Sequence, residues 1–162
     1  MGCGKSTVGK KLSQQINRPF FDLDKVIETL EEKTIADFFS EIGEEKFRAY
    51  EYQILQELLN NQEPSVIACG GGTPCYHNAM QLLSQQATTI YLQLSQEKLH
   101  ERLYRKVAKR PLLQGQHDLR KYIGNLLATR EPIYKQSQFI IDTNNKNIAE
   151  IIEEICLIEL QK

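Results

Sequence analysis

Residues 1–12 read MGCGKSTVGKKL, and the fold turns on how they are taken. A phosphate-binding loop follows the pattern G-x-x-x-x-G-K-[ST], with a strand before it and a helix after it. Gly4, Lys5 and Ser6 supply the end of that pattern, while its first glycine would stand ahead of Met1. Glycines let backbone N–H groups converge on phosphate oxygens, and a helix N-terminus adds the positive end of its dipole. In that reading Lys5 neutralises the β- and γ-phosphates and Ser6 ligates magnesium. Thr7 lies one residue deeper, in the first turn of the helix. The same string also fits a plain glycine turn leading into a helix, so the decision rests on the remainder of the chain.

Beyond the loop, helix and strand alternate. Val8, Leu12 and Ile16 recur at helical spacing, and Pro19 ends that segment. FFDLD (20–24) reads as a short buried strand, and residues 24–61 read as helical almost throughout, with Thr34 as a cap and Gly43 as a separator. PSVIACGGGTPC (64–75) is a strand running into a glycine turn, and YHNAMQLLSQQ (76–86) is a helix. TTIYLQL (88–94) is a strand, and Ser95 starts the next helix. Residues 107–118 are polar, basic and broken by Pro111 and Gly115, as a loop would be. LRKYIGNLLATREPIYKQ (119–136) is a helix, QFIIDT (138–143) a strand, and residues 147–161 a closing amphipathic helix. This alternation predicts an α/β fold, a parallel sheet with helices on both faces. Residues 1–162 form a single domain without repeats or a linker.

The chain has 162 residues and a formal net charge of -1. Nucleic-acid or anionic-membrane partners call for a basic excess that this balance lacks. The apolar runs are too short to span a bilayer and no leader pattern is present, so a cytoplasmic protein is expected. Cys3, Cys69, Cys75 and Cys156 are scattered without paired metal spacing and read as free thiols.

Several residues carry candidate chemistry. Asp22 and Asp24 stand two apart, and on a strand residues i and i+2 share a face. Both carboxylates would then emerge at the strand's C-terminal end, where parallel sheets bind ligands. One can hold magnesium and the other can accept a proton from a substrate hydroxyl. The spacing equally allows Asp24 to be a helix N-cap. Gly70, Gly71 and Gly72 can bring bare backbone close to a ligand or can make a tight turn. Arg48 lies on a helix beside Phe47, Arg110 in the Pro/Gly-bounded loop and Arg130 near a helix end. Each suits a phosphate or carboxylate, and each also suits a solvated surface.

MGCGKST, FFDLD, FRAYE, CGGGTP, KRPLL and REPIY occur in the order and approximate spacing of shikimate kinases. The chain resembles a bacterial-type member of that family over essentially its whole length. The resemblance implies a three-layer fold like nucleoside monophosphate kinases, with a five-stranded parallel sheet of order 2-3-1-4-5, a substrate-binding helical region near 25–60 and a lid near 105–117. It implies ATP-dependent phosphorylation of the shikimate 3-hydroxyl, on the way to chorismate and aromatic amino acids, with Mg2+ as cofactor and a monomeric enzyme. Gly2, Cys3, Gly4, Lys5, Ser6 and Thr7 would bind the nucleotide phosphates, joined by Arg110 from the lid. Ser6 and Asp22 would hold magnesium. Asp24 would contact the shikimate hydroxyls and act as base, with Lys5 and Arg110 assisting transfer. Arg48, Arg130 and the backbone of Gly70, Gly71 and Gly72 would hold the shikimate carboxylate. Arg102 would lie near the adenine.

The family pattern has a hydrophobic strand ahead of the loop, and this sequence shows none. Unpaired buried backbone groups cost about 1–3 kcal/mol each, and several together would exceed a domain's stability of roughly 5–15 kcal/mol. The expectation is that Met1 is an internal methionine and that about ten residues of strand precede it. Two other readings fit parts of the pattern. One is a gluconate-type small-metabolite kinase; the other is an inactive, N-terminally truncated remnant.

Overall fold

The computed structural model describes residues 2–104 and 118–159. The expected lid, with Arg110, lies outside them. Helix α1 (Lys5–Gln15) leaves the glycine loop and leads to β1 (Phe20–Asp22). Then come α2 (Leu23–Glu31), α3 (Ile35–Leu59), β2 (Val66–Ala68) and a short 3-10 turn (Thr73–Cys75). The chain continues through α4 (Ala79–Gln86), β3 (Ile90–Gln93), α5 (Gln96–Tyr104), α6 (Leu119–Tyr134), β4 (Phe139–Asp142) and α7 (Ile148–Glu159).

The strands pair in parallel, β1 with β2 and β3 with β4. Phe20 stands opposite Val66 and Asp22 opposite Ala68, so Asp22 and the glycine run after Ala68 leave the sheet at the same edge. Parallel pairing is as expected, while these two pairs do not by themselves give the five-stranded order. Among the described residues no strand joins β2 to β3. A cavity of about 560 Å³ lies there, lined by Leu12, Ile67, Ala68, Tyr91, Leu92 and Ile155 among others. Helix α1 bridges the division. Its Val8 and Leu12 are buried against Leu92, Ile141, Ile151 and Ile155, with Val66 of the other pair packed alongside.

Two more apolar clusters complete the core. Leu23, Ile27, Phe38, Phe47, Ile54 and Leu55 bind α2 to α3, and Leu94, Leu99, Leu103 and Ile123 bind α5 to α6. Thr34 caps α3 as expected, its side chain accepting from the Asp37 N–H at 3.1 Å. Gly43 breaks that helix with φ 79° and ψ 166°.

FFDLD departs from expectation. The strand stops at Asp22, which is half-buried, and Leu23 already begins α2. Asp22 is the extended N-cap residue, without a side-chain cap bond, and Asp24 sits in the first helical turn. The shared strand face predicted for the two carboxylates is therefore not formed. Leu23 decides this locally: it is fully buried under α3 as a helical residue, which ends the strand early.

Candidate active site

The glycine loop leads straight into α1. Gly4 is the N-cap, with φ 101°, a left-handed conformation that only glycine adopts freely. No side chain caps the helix and its first turn holds no acid. Its leading N–H groups and dipole therefore remain available to an anion. Ser6 and Thr7 are exposed on that turn. The Lys5 ammonium lies 3.8 Å from the Cys3 sulfur, so it folds back over the loop. Arg102 of α5 reaches the same loop and donates from Nη1 to the Cys3 carbonyl at 3.2 Å.

Asp24 stands between this loop and the glycine run. Burial raises its pKa, Asp22 and Glu51 raise it further, and Lys5 opposes them. Both aspartates and Lys5 thus share one electrostatic neighbourhood, although they do not share a strand face. A Cβ built on Gly70 would lie 2.9 Å from Asp24 Oδ1, 2.9 Å from Thr73 Oγ1 and 3.0 Å from Glu51 Oε1. A Cβ on Gly72 would lie 2.5 Å from Arg48 Nη2. The glycines are what allow a carboxylate and a guanidinium to close on the backbone from two sides.

Arg48 is held rather than solvated. Its Nη1 donates to Glu51 Oε2 at 2.7 Å, and its side chain is only 11% exposed. Burial disfavours its charge, but Glu51 outweighs that and raises its pKa. The guanidinium lies 4.8 Å from the Tyr76 ring centre and 5.1 Å from that of Phe47. Its Nε is buried without a hydrogen-bond partner among the described residues, with Glu44 Oε1 3.7 Å away. Arg130 approaches from α6: the charges of Arg48 and Arg130 are both felt at Cys75 and at Tyr76. Arg48 and Arg130 thus belong to two helices that both pack against the turn after the glycines.

Glu51 and Thr73 are the residues that the motifs did not single out. Glu51 is 2% exposed, accepts from Thr73 Oγ1 at 2.6 Å and pairs with Arg48. Its signal was present as an i, i+3 acid behind Arg48 in FRAYE, a spacing that places both on one helix face. Cys69 comes directly after β2, and burial pushes its thiol up to about 12, far from a nucleophile's range. All four cysteines are free. No cluster of three metal-binding side chains occurs among the described residues, so any cation would depend on one or two protein oxygens and its ligand's phosphates.

An uncapped helix behind a glycine loop, with a lysine near partly buried carboxylates on a parallel α/β scaffold, is the arrangement of a P-loop kinase. Comparison with known proteins narrows the class. The family model described as shikimate kinase matches residues 1–158. A shikimate kinase of Azobacteroides pseudotrichonymphae is 38% identical over 157 residues, spanning 96% of this chain and 92% of that one. The solved shikimate kinase of Bacteroides thetaiotaomicron superposes with a TM-score of 0.91 at 34% identity, covering 98% of this chain and 94% of that chain. The Acinetobacter baumannii enzyme, solved with shikimate bound, gives 0.90 at 33% identity over 99% and 89%. This chain belongs to the shikimate kinase family.

Proposed function

We propose that this chain transfers the γ-phosphoryl group of ATP to the 3-hydroxyl of shikimate, a step toward chorismate and the aromatic amino acids. The observation that carries this reading is the pairing of an anion seat with a partly buried carboxylate. Arg48 and Arg130 belong to two helices packed on the turn after the glycines, and Asp24 closes on Gly70 with Lys5 in its electrostatic neighbourhood. Shikimate is a small carboxylate with three hydroxyls. Its acid group suits the two guanidinium groups and would satisfy the unpartnered Arg48 Nε. The hydroxyls then fall toward Asp24, whose raised pKa makes it a stronger proton acceptor than an exposed aspartate.

Phosphoryl transfer needs mainly positioning and charge neutralisation. The loop N–H groups and the α1 dipole receive the nucleotide phosphates, and Lys5 adds a mobile positive charge. The Ser6 hydroxyl is exposed, and Asp22 has a carboxylate that α2 does not use as a cap. Both are oxygen donors of the kind a hard divalent cation prefers, so they fit magnesium. Magnesium bound there would neutralise phosphate charge. Arg110, in the segment outside the described residues, is read as a further phosphate contact. The same reading takes the enzyme as a cytoplasmic monomer. Among the described residues no helix is long and apolar enough to cross a membrane.

A coupled assay for ADP release with shikimate and Mg-ATP tests the reaction. Release is expected to depend on shikimate and not to occur with gluconate. Asp24→Asn should lower turnover by two to four orders of magnitude, roughly the worth of a positioned general base, while ATP binding survives. Turnover of gluconate alone, or an Asn variant as fast as the parent, contradicts the assignment.

A further inference from the structure

We propose that Tyr134 is a positioning residue that fixes the glycine turn in the shape that receives the acceptor's carboxylate. The role rests on the proposed shikimate kinase activity and adds a residue to it. Tyr134 is the last residue of α6, four after Arg130, so the two side chains lie on one helix face. Its hydroxyl donates to the carbonyl of Gly71, the middle residue of the glycine run. The phenol therefore ties the end of α6, one turn beyond Arg130, to the backbone of the glycine run.

The ring is held as well. It packs against Tyr91 of β3 with centroids 5.2 Å apart and planes inclined at 45°. Burial pushes the Tyr134 hydroxyl up to about 12, so it stays a donor at neutral pH. Glycine runs have more accessible backbone conformations than any other sequence, and a donor anchored elsewhere selects among them. No peptide bond in the described chain is cis. In a trans peptide the N–H of Gly72 points opposite to the carbonyl of Gly71. Holding that carbonyl therefore also sets the direction in which the Gly72 N–H faces. Arg48 is packed against Gly72 itself, so the turn is clamped from both sides, by Arg48 and by Tyr134.

Steady-state kinetics of Tyr134→Phe test this. The KM for shikimate should rise about fivefold, the worth of one hydrogen bond of ordinary net strength, with kcat and the KM for ATP unchanged. A merely structural role would instead lower the amount of active enzyme and leave the KM for shikimate alone. As a second measurement, 3-fluorotyrosine placed at position 134 keeps the hydrogen bond. Its fluorine resonance should shift on adding shikimate and stay fixed on adding ADP alone. An active parent with an unchanged shikimate KM in Tyr134→Phe, or a fluorine signal indifferent to shikimate, overturns the role of Tyr134. A parent that phosphorylates no shikimate at all overturns the functional reading beneath it.

Discussion

Asp24 is held in the folded chain where its charged form is disfavoured, by burial first and then by Asp22 and Glu51. A carboxyl whose pKa is raised on folding takes up a proton more readily folded than unfolded. Its contribution to stability is complete below the ordinary aspartate value of 3.8 and is lost as pH rises through the raised value. Asp24→Asn should therefore melt at a higher temperature than the parent at pH 8, with the difference closing near pH 4, as calorimetry can show. An Asn variant that melts lower at pH 8 contradicts this. Stability lost at the group proposed as the base would be the usual trade between activity and stability. The motifs singled out Asp24, Lys5, Arg48 and Arg130 as candidates, because charged residues beside glycine runs are conspicuous in a sequence. They did not single out Glu51 or Tyr134, whose contacts with Thr73 and Gly71 form only once α3 and α6 have packed beside the turn.

At the scale of elements, α3 is two helices in one. Gly43 occupies a region of φ/ψ space open essentially to glycine alone, and nothing lies within 4 Å of a Cβ built there. The strain of a substitution is thus purely a backbone matter. Gly43→Ala should lower stability by about 1–3 kcal/mol, seen as a lower urea midpoint with an unchanged slope. A variant as stable as the parent would mean that the helix straightens at no cost. The bend brings the Phe39 and Phe47 ring centroids to 5.2 Å and sets Phe38 edge-on to Phe47 at 6.1 Å. Arg48 and Glu51 come immediately afterwards on the second half, so the kink aims the arginine. Both the Thr34 cap and the Gly43 break were legible, because caps and left-handed positions demand particular residue types. The end of β1 was not. Leu23 and Asp24 fit both the alternation of a strand and the first turn of a helix, and burial of Leu23 against α3 chose between them.

For the molecule as a whole, the alternation of strands and helices foretold parallel pairing, since only crossovers connect parallel neighbours. It could not show that the apolar residues would gather in three clusters rather than one. The clusters do not follow the division between β2 and β3, since Val66 of one pair packs with Leu92 and Ile141 of the other. The cavity there is partly open to solvent, and its lining includes apolar Ile67, Ala68 and Leu92. Water therefore wets an apolar wall between the two strand pairs, a surface that gains by being covered.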